Sequence, residues 1–121
     1  MFREVLQDVL TRTEDCLGVL IMGFDGILVE EVWQAEVKSE TYAVSVAEYT
    51  SLLRNTQRIN GGLRLNTLRE MTISGANEIW IMRVVNNDYF LAMVTAAHGN
   101  FGRGRYELRR AELILSKELD V

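Results

Sequence analysis

Between residues 16 and 34 the chain reads Cys-Leu-Gly-Val-Leu-Ile-Met-Gly-Phe-Asp-Gly-Ile-Leu-Val-Glu-Glu-Val-Trp-Gln, two apolar runs folded back at Phe24-Asp25-Gly26. An Asp-Gly pair between apolar runs is a strong hairpin signal. Asp tolerates a positive φ and Gly adopts it without steric cost, so the turn twist matches that of the strands. The first run, Leu17 to Met22, is apolar without alternation. An antiparallel strand with one wet face would alternate, so this sheet needs cover on both faces. The rest of the chain must supply it.

Three helical patterns are available, and the absence of proline leaves all of them unbroken. In residues 2–14, Phe2, Val5, Leu6, Val9 and Leu10 recur at helical spacing, opposite Arg3, Glu4, Gln7, Asp8 and Arg12. Ser39 then reads as an N-cap, with Glu40 in the first turn near the positive end of the helix dipole. The second helix spans Glu40 to Ile59 and ends at Gly61-Gly62. Tyr42, Val46, Tyr49 and Leu53 form one seam along it, with Leu52 and Ile59 beside them. Ala43 and Ala47 form a small-residue strip about 100° round, and charge is nearly missing until Arg54. A helix this weakly polar is buried on more than one side, either deep in its own core or against a partner chain. The last helix follows a glycine-rich loop from Gly99 to Gly104 and runs to Leu119, with a seam of Leu108, Ala111, Leu115 and Leu119.

Between the second and last helices lie three strands, at about 64–74, 78–85 and 89–97, broken by Gly75-Ala76-Asn77 and Asn86-Asn87-Asp88. The middle and last are apolar on both faces. The first, Arg64 to Ser74, is polar and irregular and reads as a sheet edge, exposed or paired with another chain. At 121 residues the chain fits one domain, residues 1–121. The predicted fold is α+β: a five-stranded antiparallel sheet in the order α-β-β-α-β-β-β-α. The first and last helices cover one face and the middle helix the other, giving an α/β/α sandwich.

Few chemistries fit this sequence. The net charge of −4 is uneven, −6 over residues 1–40 and +2 over the remainder, which argues against nucleic-acid binding. One cysteine permits no internal disulfide and suits a cytoplasmic setting. No apolar run approaches the length of a membrane span, so direct membrane insertion is not expected. The glycines at 99, 102 and 104 lack the dinucleotide fingerprint and no strand follows, so no nucleotide cofactor is expected. One His, His98, and one Cys, Cys16, cannot assemble a metal cluster. Cys16 opens an apolar strand and reads as core. Glu30 and Glu31 are adjacent in a strand and point to opposite faces. The reading is a protein without catalytic residues, metal or cofactor. Arg103, Arg105, Arg109 and Arg110 cluster at the start of the last helix, either as a contact for an acidic partner or as a solvated face.

The hairpin Gly18-Val19-Leu20-Ile21-Met22-Gly23-Phe24-Asp25-Gly26-Ile27-Leu28-Val29 resembles the signature hairpin of the Roadblock family, which includes dynein light chains and bacterial gliding-motility regulators of a Ras-like GTPase. Gly102-Arg103-Gly104-Arg105-Tyr106-Glu107-Leu108-Arg109-Arg110-Ala111 resembles that family's entry to its last helix. With the element order, the resemblance spans the chain. It implies a homodimer in which the third strands pair into one ten-stranded sheet. The middle helices then pack side by side as a platform for a small Ras-like GTPase. Carried onto this sequence, the platform residues are Ala43, Ala47, Glu48, Ser51, Leu52 and Asn55. The dimer contacts are Tyr42, Val46 and Tyr49 on the helix and Leu65, Asn66, Thr67, Leu68, Arg69, Met71 and Ile73 on the strand. Tyr49 departs from the small residues usual on such platforms.

The function that follows is a non-enzymatic, homodimeric regulator or scaffold for a small Ras-like GTPase, able to stimulate GTP hydrolysis without an arginine finger. Two alternatives belong to other classes. One is a small-molecule sensor of the PAS or GAF kind, which needs a cavity with some polar lining. The other is a purely structural subunit of a motor or scaffold complex.

Overall fold

The computed structural model describes residues 1–63 and 66–119. They form three helices and one five-stranded, wholly antiparallel sheet: α1 (Phe2–Arg12), β1 (Cys16–Gly23), β2 (Leu28–Trp33), α2 (Ala43–Leu63), β3 (Glu70–Ser74), β4 (Glu78–Val84), β5 (Tyr89–Ala96) and α3 (Phe101–Leu119). The spatial order is β2-β1-β5-β4-β3. The two hairpin-forming segments therefore meet through β1 and β5, and β2 and β3 form the edges. This is the α/β/α sandwich expected from the double-sided apolar strands.

Strand alternation assigns each side chain to a layer. Val19, Ile21, Ile81, Leu91 and Met93 point to one face, where Leu6, Val9 and Leu10 of α1 and Leu108, Ala111 and Leu115 of α3 cover them. Leu20, Met22, Met82, Phe90 and Ala92 point to the other, where Leu53 of α2 is buried among them. Each fully buried Leu- or Ile-sized side chain contributes about 1.5–3 kcal/mol of transfer free energy, so both layers add to stability.

The hairpin closes differently from the two-residue turn that Asp-Gly suggests. Gly26 alone takes a positive φ, +89°. Asp25 stays outside that region, and its Oδ1 accepts the Ile27 N–H at 2.9 Å. Gly26 N–H donates to the Gly23 carbonyl, and Gly23 N–H to that of Ile27, both at 2.9 Å. The β1–β2 register shifts between Ile21 and Met22.

Four expected boundaries move, each for a local reason. The first helix stops at Arg12 because Thr13 is already extended (φ −111°, ψ 102°) and Asp15 sits at φ 66°. Ser39 is not an N-cap: residues Ser39–Tyr42 form a 3₁₀ turn without a side-chain cap, and α2 begins at Ala43 and continues through Gly61-Gly62 to Leu63. The polar third strand is shorter than expected, Glu70–Ser74. Its partner β4 ends at Val84. Beyond the bond from Val84 N–H to the Arg69 carbonyl (2.9 Å), no strand among the described residues pairs with 66–68. The glycine-rich loop is largely helix. Asn100 Oδ1 accepts the Arg103 N–H at 2.9 Å and starts α3 at Phe101, placing Gly102 and Gly104 inside it. At Gly104 a Cβ would lie 3.1 Å from Met93 Sδ and 3.2 Å from Ile81 Cδ1, so the missing side chain lets α3 approach the sheet.

A charged layer fixes β3 to α3. Arg83 is buried, and its Nε and Nη1 lie 2.8 Å from Glu112 and 3.4 Å from Glu70. Arg105 Nε reaches Glu70 at 2.6 Å. Two carboxylates around a desolvated guanidinium offset its lost hydration, and removing both would leave charge buried without a partner. No helix among the described residues is long and apolar enough to cross a membrane.

Candidate partner-binding face

The α2 side of the sheet is built on an aromatic stack. Gly18 of β1 stands opposite Trp33 of β2, and a Cβ on Gly18 would fall 2.2 Å from the Trp33 ring. The indole therefore lies across the bare backbone of β1. Tyr42 stacks on it at 5.4 Å between centroids, 9° from parallel. Trp80 meets Tyr42 and Tyr49 edge-on at 6.0 and 5.5 Å. Trp33 Nε1 donates to Glu31 Oε1 at 2.6 Å, which satisfies the one polar atom of the ring. Desolvation in the stack, and secondly the charge of Glu78, push the Tyr42 phenol above its ordinary pKa, so it stays a neutral hydroxyl. Glu30 points the other way and pairs with Arg3 of α1 at 3.3 Å, as alternation along β2 requires.

The seam Tyr42, Val46, Tyr49 and Leu53 thus turns toward the chain's own sheet. Leu53 is fully buried; Tyr42, Val46 and Tyr49 keep part of their surface exposed, and only that part is left for a partner. Met71, Ile73 and Leu68 join the same apolar cluster. Asn66, Thr67 and Arg69 are exposed and lie before β3, not in it. Leu65 lies outside the described residues.

The opposite side of α2 is open. Val44, Leu52 and Ile59 are 75, 47 and 59 % exposed, and Ala43, Ala47, Glu48 and Asn55 are exposed around them, with Ser51 half-buried. Ala43 and Ala47 also line a groove of about 560 Å³ between α2 and the β1–β2 hairpin. Its hairpin wall is Leu28, Glu31 and Trp33, and Leu20 and Met22 line it from β1. Arg54 bridges to the hairpin turn by donating from Nη1 to the Phe24 carbonyl at 2.8 Å. The hairpin wall was not foreseen from sequence. The only signal for it is the unbroken apolar run Ile27-Leu28-Val29, all three exposed.

The two sheet edges also differ. Arg3 Nη1 donates to the Glu31 carbonyl at 3.1 Å and so occupies part of the backbone of edge strand β2. Among the described residues no side chain bonds to the backbone of edge strand β3.

Other candidate chemistry is dispersed. Cys16 is buried, and burial pushes its thiol up to about 12, the opposite of an activated nucleophile. His98 is exposed and lies 3.4 Å from Asp15. Among the described residues no group of three His, Cys, Asp or Glu side chains is placed to hold a metal ion.

No family model matches the sequence, and no curated protein matches it significantly. Solved structures do match. MglC from Myxococcus xanthus is 34% identical, with 98% of each chain covered and a TM-score of 0.75. A Roadblock/LC7 domain from Streptomyces avermitilis has a TM-score of 0.81 over 98% of this chain and 97% of that one, at 11% identity. The gliding protein MglB from Thermus thermophilus reaches 0.83 over 96% and 86%, at 16% identity. The latter two likenesses establish the fold. The identity to MglC along almost the whole of both chains, on that same fold, makes this chain a member of the Roadblock/LC7 family.

Proposed function

We propose that the chain is a non-enzymatic homodimer that regulates or scaffolds a small Ras-like GTPase, with α2 as the platform and β3 as the edge that pairs with its symmetry mate. The observation that carries this reading is the state of α2. It spends one seam on its own sheet and leaves Val44, Ala47, Leu52 and Ile59 facing out beside an apolar groove. Exposed apolar side chains along one helix, continued by an apolar groove at its flank, make a surface suited to a partner. The uncapped β3 edge, against the Arg3-capped β2 edge, supports pairing through β3. Family membership supports the partner class. Stimulation of GTP hydrolysis would come from reordering the partner's own site, and no arginine of this chain is assigned a catalytic part.

The test is light scattering of the purified chain, followed by titration with Ras-like GTPases from the same genome in GTP-analogue and GDP states. A dimer that binds one nucleotide state at least tenfold more tightly is expected. Ala47→Arg should abolish that binding while leaving the circular dichroism unchanged. A monomer, or binding unaffected by Ala47→Arg, would sink the reading.

A small-molecule sensor is the second reading, favoured by one observation: the α2–hairpin groove falls within the size range of ligand pockets. A ligand retained in native mass spectra of the purified protein would support it.

A further inference from the structure

The arginine cluster on α3 takes no part in the platform, which lies on the other face of the sheet. α3 turns Leu108, Ala111 and Leu115 inward. Outward it presents Phe101, Tyr106 and Leu113, 38, 60 and 56 % exposed, interleaved with exposed Arg103, Arg105 and Arg109. The Arg103 guanidinium lies 5.7 Å from the centre of the Tyr106 ring, and that of Arg105 5.5 Å from the centre of the Phe101 ring. Two of these arginines are also held from within. Arg103 Nη2 lies 3.0 Å from Glu107, whose carboxylate is buried, and Arg105 Nε 2.6 Å from Glu70. Arg109 has no ion pair among the described residues.

We propose that this outer face of α3 is a docking surface for an acidic segment of a partner protein, separate from the α2 platform and able to be occupied at the same time. The charge balance points there. Arg83, Arg103, Arg105, Arg109 and Arg110 outnumber Asp8, Glu70, Glu107 and Glu112 by one; Arg83 is buried, so the surplus positive charge sits outside at Arg109, on a chain whose net charge is −4. Arginines fixed by internal carboxylates and aromatic rings lose little side-chain freedom on binding and still offer further N–H groups in fork geometry. Arg and Tyr are enriched among the residues that dominate binding energy at protein interfaces, and the exposed Leu113 adds apolar area to bury.

The shape of the charge selects a protein segment over a membrane or nucleic acid. The stripe from Phe101 to Leu113 is about 18 Å long. Beside it on the same face runs α1, with exposed Glu4 and Asp8. A broad anionic surface pressed against α3 would meet those carboxylates, whereas a narrow acidic segment follows the stripe alone.

The experiment uses a fluorescein-labelled synthetic helix with Glu and Leu on one face, titrated with the full chain and read by anisotropy. Saturable binding is expected, weakening at least tenfold between about 50 and 300 mM salt. Arg109→Glu and Tyr106→Ala, both at exposed positions, should each weaken it at least tenfold with unchanged circular dichroism. Arg109→Lys should keep part of it, and Ala47→Arg all of it. Absence of saturable binding, or equal binding by Arg109→Glu, overturns the proposal. So does sedimentation with phosphatidylserine vesicles in preference to peptide binding. An assembly larger than a dimer that Arg109→Glu dissolves would assign the face to a second copy and overturn it as well.

Discussion

The two faces of the sheet are covered to different degrees. On one, α1 and α3 lie side by side, and α3 alone buries Gly104, Glu107, Leu108, Ala111, Leu115 and Leu119. On the other, the longer helix α2 lies alone, and of its side chains through Ile59 only Thr50 and Leu53 are buried. Both sheet faces carry an apolar cluster, so the difference lies in the helices. Two helices about 10 Å apart span a five-stranded sheet, and one helix does not. The face under α2 is left with a groove along β2, while Met71 and Ile73 of β3 are only half-buried at the sheet's far edge. One layer is finished within the chain, and the other is suited to completion by another surface.

Placing the same charge in each layer gives the largest expected effect. Leu115 is fully buried under α3, whereas Leu52 is 47 % exposed on α2. Leu115→Arg introduces an unpaired charge into the closed layer and should cost several kcal/mol, comparable to the whole stability of a domain this size, so no cooperative unfolding transition should remain. Leu52→Arg should shift the urea midpoint negligibly and remove the GTPase binding proposed for α2. If Leu52→Arg also unfolded the chain, α2 would be a core helix and the comparison would fail.

A middle-sized effect tests the stack that seats α2. Gly18→Ala drives a methyl group into the Trp33 ring, which cannot move far between β1 and Tyr42. The cost should be about 1–3 kcal/mol. It should appear as a changed tryptophan emission and weaker partner binding, because α2 loses its anchor next to Ala43 and Ala47. The finished layer has a pH signature of its own. Cys16 ionises near 9 in the unfolded chain and at about 12 in the fold. Below pH 9 both states hold the proton and nothing is lost. Above 9 only the unfolded state releases it, so stability should fall by about 1.4 kcal/mol per pH unit towards 12. Urea titrations at pH 8 and pH 10 should show this fall, and Cys16→Ala should flatten it.

How much of this was legible in the sequence depended on how local each signal was. The hairpin, the double-sided sheet and the α3 seam were read correctly because apolar spacing reports burial directly. The entry to α3 was misread as a loop: Gly102 and Gly104 have loop chemistry, but Asn100 caps a helix and tight packing on Met93 and Ile81 requires glycine at 104. The seam through Tyr42, Val46 and Tyr49 was found, but a seam does not reveal what it faces, and here it faces the chain's own tryptophans. The groove was invisible, because its second wall comes from Leu28, Glu31 and Trp33, brought alongside α2 only by the β1–β2 pairing.

The smallest expected effect concerns the two edges. Arg3 is exposed, and its ion pair with Glu30 is worth at most about 1 kcal/mol, so Arg3→Ala should barely change the unfolding midpoint. Its bond to the Glu31 carbonyl has another consequence: it occupies an acceptor that an incoming strand would need. Without it, β2 offers an open backbone flanked by exposed Leu28 and Val29. Arg3→Ala should therefore add slow, concentration-dependent association beyond the proposed dimer, visible by light scattering, with the fold unchanged. A Thr72→Pro substitution on β3 acts in the opposite sense by removing an N–H from the edge that is open already. If the proposed dimer pairs through β3, Thr72→Pro should weaken it while Arg3→Ala leaves it intact. If both edges responded alike, the asymmetry between them would play no part in assembly.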